Sequence, residues 1–292
     1  MGLALRDLPS PLYNFLSNPP WKMLLALGIS VFFGESFLFS DEPTQETDPT
    51  SLAIVSLGGY MAWKGSRKPD QKLKKTSDES QLLSTILKDE TKTIHTSIEK
   101  HPFLLAILSN SLKKETYATY LRDLLEVYRA LEKGLTEQKS HPKIKPIYFP
   151  EFFRSAALEK DLESFEGNAI KATPAALAYA EHINQTSKKS PWMLAAHAYA
   201  RYLGDLAGGQ FLAKSIRRQW GDKVASFAFP EIKSLVEAKK NFKSALNALP
   251  LTDKEKRQLA DEAILSFRMS GSIFDDLVAL EKKGDVTRPS RP

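Results

Sequence analysis

Hydrophobic and polar positions change rhythm three times along the chain. Two continuous apolar runs lie near the start, Met23–Phe39 (MLLALGISVFFGESFLF) and Leu52–Trp63 (LAIVSLGGYMAW), on either side of the acidic DEPTQETDPT at 41–50. A lysine-rich, poorly periodic stretch follows at Ser66–Asp78 and reads as a linker. From Thr76 onward the texture is helical. The capping box Thr76-Ser-Asp-Glu79 precedes Leu82, Leu83, Ile86, Leu87, Ile94 and Ile98 at helical spacing. Further helices are predicted over Phe103–Leu108, Lys114–Gln138, Pro150–Phe165, Pro174–Thr186, Pro191–Trp220, Phe229–Leu249 and Thr252–Lys283. Prolines at 102, 142, 146, 150, 174, 191, 230 and 250 separate or open these runs. No alternating Val/Ile/Thr stretch competes, so the expected fold is all-α, with a body of about 200 residues that can bury a core. The pattern divides the chain into a hydrophobic region 1–65, a linker 66–78, a helical domain 79–283 and a disordered tail 284–292.

A helix that crosses a bilayer needs roughly 20 apolar residues. The first run has 17, interrupted by Glu35, and reaches that length with Trp21, Lys22 and Ser40; the second has 12 and needs Thr50, Ser51 and Lys64. Lys22 precedes the pair and Lys64, Arg67 and Lys68 follow it, which places both ends in the cytoplasm and the acidic loop outside. The expectation is a two-segment membrane anchor with the helical domain facing the cytoplasm. A single span and a soluble cytoplasmic chain are the alternatives. A cleaved signal sequence fits less well, because the apolar core starts late.

Composition narrows the chemistry. The net charge of +6 is uneven: residues 1–70 hold five basic and seven acidic groups, and the remainder holds 36 and 28, a net of +8. Such a body suits an anionic ligand or an acidic partner, and without interleaved Arg/aromatic runs nucleic acid is not expected. The absence of cysteine excludes disulfides, thiolate zinc, iron–sulfur clusters and thiolate nucleophiles. Any iron must be held by His, carboxylate, Tyr or Met.

Two segments stand out against that background. Lys88, Lys92, His95 and Glu99 follow one another at helical intervals and share one stripe. The stripe is either an exposed Lys/Glu face with an incidental His, or a His metal ligand whose second ring nitrogen donates to Glu99 while lysines meet anions. In HAYARYLGDLAGGQFL (197–212), Gly204, Gly208 and Gly209 fall within six residues. Each interior Gly costs about 0.5–1 kcal/mol relative to Ala. A helix C-cap at Gly204 would explain one of them, yet Leu206, Phe211 and Leu212 continue the apolar face. A kinked helix whose bare backbone lies against something flat and large accounts for all three. Gly204 and Gly208, four apart, then open the same face, beside Asp205.

The segment AHAYARYLGDLAGGQFL resembles the haem oxygenase signature, and LKDETKTIHTSIE resembles that family's proximal-histidine helix. Tyr128-Arg-Ala-Leu-Glu132, Ile147-Tyr-Phe-Pro-Glu151, Ala157-Leu-Glu-Lys-Asp161, Phe229-Pro-Glu-Ile232 and Phe267–Leu277 follow in family order, so the likeness spans roughly residues 80–283. It implies a single helical domain that opens haem to biliverdin, releasing carbon monoxide and ferrous iron. The O2 is external, and the electrons come from a reductase or ferredoxin. Haem would be both substrate and cofactor.

By resemblance His95 is the proximal iron ligand, and Asp205 is the catalytic residue that organises a water network delivering protons to dioxygen. Gly204 and Gly208 would let the porphyrin approach, and Tyr199 and Arg201 would extend the network or the pocket wall. Lys88, Lys92, Lys239 and Lys243 would stand on the propionate side, with Phe267 as a pocket aromatic. Lys243 replaces a family arginine, a point charge for a bidentate fork, and Ser270 stands where an asparagine is common. His101, His141, His182 and His197 look less suited as ligands: the first two precede Pro in linking segments, the others sit on later helices. Two other readings are a haem carrier or sensor of the same fold, which needs His95 without the proton network, and a helical di-iron oxidase. The second wants paired Glu-x-x-His motifs, which are not evident.

Overall fold

The structure, a computed structural model, describes residues 82–165, 170–221 and 225–286. The two apolar runs, the linker and the capping box at Thr76–Glu79 lie outside the described residues. Among the described residues there are nine α-helices and no strand: α1 Leu83–Glu99, α2 Pro102–Leu108, α3 Lys114–Glu137, α4 Ser155–Ser164, α5 Pro174–Lys189, α6 Leu194–Leu206, α7 Gly208–Trp220, α8 Leu235–Asn247 and α9 Asp253–Val286. Among the same residues no helix is long and apolar enough to cross a membrane.

Local chemistry fixes several helix starts. Pro102 opens α2, and the His101 Nδ1 accepts from the Phe103 N–H at 3.3 Å. Pro174 opens α5 behind Thr173, whose Oγ1 accepts from the Ala176 N–H. Thr173 is itself held by the buried Asp123 of α3, which takes its N–H at 2.7 Å and its hydroxyl at 2.9 Å. Burial raises the Asp123 carboxyl to about 7 against the two Thr173 donors. Ser234 caps α8 through the Glu237 N–H.

Three predicted boundaries move. The helix expected from Phe229 begins at Leu235, because a cap is available at Ser234 and not before. The stretch from Pro150 first makes a 3₁₀ turn, Pro150–Phe152, and α4 starts at Ser155, where Glu132 accepts the Ser155 N–H at 3.1 Å. Helix α9 runs to Val286, past the boundary at 283, so residues 284–286 are helix and not tail.

The core is built around α3 and α9. Helix α3 packs on α4 and α5, and α9 packs on α1, α2, α3, α5 and α6. Tyr117, Leu121, Leu125, Tyr128, Leu131 and Leu135 are essentially buried along α3. Fully burying one such side chain contributes roughly 1.5–3 kcal/mol. Helix α9 comes close to α1 because Gly271 has no side chain: a Cβ there would lie 3.0 Å from Ile98 Cδ1. Phe149, Phe152, Tyr202 and Phe242 form a ring cluster that joins α6 to α8. Helices α1 and α6 therefore share α8 and α9 as neighbours.

Candidate functional site

On α1 the buried line is Leu83, Leu87, Thr91 and His95, four residues apart, so His95 ends the core-facing stripe. It is 8% exposed, and its ring meets the edge of Phe267 on α9, centroids 5.6 Å apart and planes at 89°. Burial lowers the imidazole to about 4, which leaves it neutral near pH 7 with a nitrogen lone pair to offer a metal. The expected hydrogen bond to Glu99 is not formed in full. Nδ1 lies 3.6 Å from Glu99 Oε1, an electrostatic pairing longer than a hydrogen bond, and the carboxylate is 43% exposed.

The lysines flank this line. Lys88 is half-buried and Lys92 exposed on α1; Lys239 is buried and Lys243 half-buried on α8. Helices α1 and α8, which carry the two pairs, pack together, and the Ser84 N–H donates to Asn247 Oδ1 at 2.9 Å.

The glycine segment kinks as expected, though not at a glycine. Helix α6 stops at Leu206, Ala207 adopts φ −121° and ψ −83°, and α7 restarts at Gly208. The break corrects one expectation: Gly204 and Gly208 fall on different helices and do not open a single helical face. A Cβ built at Gly204 would meet nothing within 4 Å, so bare backbone borders open space in the last turn of α6.

Beside it Asp205 enters a polar cluster. The Tyr128 hydroxyl donates to its Oδ2, and Arg201 Nη2 lies 3.9 Å from Oδ1. Arg201 also donates through Nε to the Tyr128 oxygen at 3.3 Å and through Nη1 to Ser270 Oγ at 3.5 Å. Ser270 in turn donates to the Ser266 carbonyl at 3.0 Å. Burial raises the Asp205 carboxyl, while Arg201, the Tyr128 hydroxyl and Arg154 pull it back down. Burial also pushes the Tyr128 phenol well above its ordinary value. The cluster holds an acceptor beside phenolic O–H groups and a fixed positive charge, which suits it to hold and pass a proton.

Tyr199 does not join that cluster. It is buried with its hydroxyl toward Thr91 of α1, which makes it a wall between α6 and α1. Tyr128, which carries the resemblance but has no role in it, and Tyr120 and Tyr179 all act electrostatically on Arg201. A signal for them existed. Each puts a hydroxyl on an otherwise apolar helix face, and a buried phenol needs a partner.

A family model described as "Heme oxygenase" matches residues 81–276. The chain is 35% identical to "Heme oxygenase 1" of Gallus gallus over 214 residues, covering 70% of this chain and 72% of the relative. It is 36% identical to "Heme oxygenase" of Porphyra purpurea over 205 residues, 67% and 86% of the two chains. The crystal structure of heme oxygenase-1 from the cyanobacterium Synechocystis, in complex with heme, superposes with a TM-score of 0.67 at 32% identity over 69% of this chain and 95% of that one.

Proposed function

Since this chain belongs to the haem oxygenase family, we propose that it cleaves haem to biliverdin, carbon monoxide and ferrous iron. The oxidant is O2, and the electrons come from a separate donor protein. One observation carries the reading: a neutral, buried His95 on α1 and an open, side-chain-free face at Gly204, beside the Asp205 cluster on α6, in helices that share α8 and α9. The residues present fit a haem. They offer one imidazole lone pair, a bare backbone for a flat ring, and lysines on α1 and α8 for two propionates. When bound, haem supplies the iron that activates dioxygen and the ring that is oxidised.

The chain's own residues do the rest. His95 binds the iron as a neutral ligand, and the Phe267 edge and Glu99 restrain its ring. Lys88, Lys92, Lys239 and Lys243 orient the ring through its propionates. Lys243, a point charge, does so with less directional grip than a guanidinium fork. Tyr199, buried with its hydroxyl toward Thr91, excludes water from one side. Asp205 holds a proton-carrying network near the reacting oxygen, with Tyr128 and Arg201 fixing its carboxylate. Gly208, at the start of α7, keeps the kink beyond Asp205 free of a side chain.

The polar cluster favours an enzyme over a haem carrier, since a carrier gains nothing from a buried carboxylate held ready for proton transfer. The test is turnover. Haemin added to the protein with a reductant under air should lose its Soret band as a biliverdin band rises. A stable haem complex under those conditions overturns the reading.

Two finer assignments belong to the same proposal. The apolar runs in 1–65, flanked by Lys22 and by Lys64, Arg67 and Lys68, tether the domain to a membrane with the catalytic part on the cytoplasmic side. The basic domain, +8 over residues 71–292, docks an acidic ferredoxin or flavoprotein reductase. Recovery of the full chain in a carbonate-washed membrane fraction tests the first. A steep fall of donor-dependent turnover with ionic strength tests the second.

A further inference from the structure

Away from the haem-facing residues, three helices converge on one carboxylate. Glu262 of α9 places Oε1 2.6 Å from the Nε2 of His182 on α5 and 2.9 Å from the Nε2 of His197 on α6. All three side chains offer one ligand atom within 4.8 Å of the others. The imidazole rings are 5.6 Å apart at 71°, so they converge on the carboxylate and do not stack. We propose that His182, His197 and Glu262 form a binding site for one divalent transition-metal ion, separate from the His95 site.

The chemistry of the donors selects the class of ion. Two imidazoles and a carboxylate, without thiolate, suit Zn2+, Co2+, Ni2+ or Fe2+ and not the oxygen-seeking Ca2+ or Mg2+. Metal–ligand bonds of about 2.0–2.2 Å separate tetrahedral donors by about 3.3 Å, so the two nitrogen–carboxylate distances need to open by less than ~1 Å. Glu262 already has the ionised form that ligation requires, and His197, which now donates to it from Nε2, reaches its ligating form by moving that proton to Nδ1. Burial lowers His197, which favours the neutral ring. Burial would raise Glu262, but hydrogen bonds from the two imidazoles hold it at about 2, so it is ionised.

The outer partners are also in place. His197 Nδ1 is 3.3 Å from the Tyr179 hydroxyl, which is bound to Ser266. A proton on Nδ1 donated to Tyr179 leaves the Nε2 lone pair for the ion, the arrangement by which an outer acceptor fixes a ligating histidine. An entry side exists as well. The His197 side chain is fully buried, while those of Glu262 and His182 are 12% and 28% exposed, so an ion arrives past His182. Thr186 Oγ1, 3.5 Å from His182 Nε2, lies beside that path. Once bound, the ion ties α5, α6 and α9 together, and α6 is the helix that carries Asp205. The three donors converge whether or not haem is the substrate.

The test uses the full chain, haem-free and stripped with a chelator, titrated with Co2+ and read by its ligand-field absorption. One equivalent should bind, Zn2+ should displace it, and the His95→Ala variant should bind it equally well. His182→Asn and Glu262→Gln should each weaken binding by more than the roughly 10–100-fold that loss of an outer partner costs a metal site. Helical circular dichroism confirms folding, and the part-exposed His182 keeps the test valid if Glu262→Gln does not fold. Paramagnetic broadening of the His182 and His197 imidazole signals is the second readout. Absence of saturable Co2+ binding, or binding that survives His182→Asn, overturns the proposal and leaves the three residues as a hydrogen-bonded helix clasp. Biliverdin formation by His182→Asn, expected at the wild-type rate, separates this outcome from a failure of the haem reading.

Discussion

The two sides of the proposed haem site bury their key groups in contrasting company. His95 sits at the end of an apolar stripe, with an aromatic edge and a distant carboxylate beside it. Asp205 sits among hydroxyls and a guanidinium that compete for its oxygens. Burial pushes both groups toward neutrality, the imidazole by losing its proton and the carboxyl by keeping one. On the α1 side little opposes that push, and the result is a simple Lewis base. On the α6 side Arg201 and Tyr128 oppose it, and the result is a carboxyl raised by burial and pulled back by its charged and hydroxyl neighbours. A metal ligand needs the first environment, and a proton-handling residue needs the second.

The largest expected effect tests the second environment. Asp205→Ala should still bind haem, yet form biliverdin roughly 10²–10⁴-fold more slowly, the range ascribed to positioned acid–base groups. Wild-type turnover by this variant would remove the contrast altogether. Next in size, His95→Ala should abolish the imidazole-ligated haem spectrum and weaken haem binding by more than roughly 100-fold. An unchanged spectrum would sink His95 as the ligand. Tyr128→Phe removes one donor to Asp205 and should slow turnover by about 10-fold. The sign of its pH effect follows from the geometry: the phenol stabilises the ionised carboxylate, so its loss raises the Asp205 pKa. The pH–rate profile should shift upward, whereas a merely structural role would lower the rate without moving the profile. The smallest effect belongs to the α1 side. Phe267→Leu takes away the edge contact to His95 and should cost the haem-free protein about 0.5–1.5 kcal/mol in chemical denaturation, with no shift in that profile.

The contrast between the sides also explains what could be read from the chain alone. His95 and Asp205 were singled out by family resemblance, the one on a helical stripe and the other beside three glycines. Their surroundings were not. Tyr128 meets Asp205 from 77 residues away, and Asp123 holds the capping Thr173 50 residues on. The Glu99 pairing looked like a hydrogen bond from its spacing, yet it stops at 3.6 Å because the carboxylate leans into solvent. The resemblance gives Tyr199 and Arg201 one role, in the network or the pocket wall, but they serve different neighbours, Thr91 in one case and Tyr128 in the other. Spacing along one helix fixes which face a residue occupies and leaves open what stands opposite.

By itself, then, the sequence offered His95 and Asp205 only as what the family resemblance implies, while it determined the all-helical class, most helix limits and the kinked glycine segment. These follow from helical period, capping and backbone entropy, which act over a few residues. The tertiary structure alone decided that the helix breaks at Ala207, that Gly204 and Gly208 part company, and that Tyr128 and Arg201 share a carboxylate. It also brought His182, His197 and Glu262 from three helices onto one point. The physical reason is that partners across a core are chosen by how whole helices pack, and buried polar groups must then accept whichever donors that packing presents.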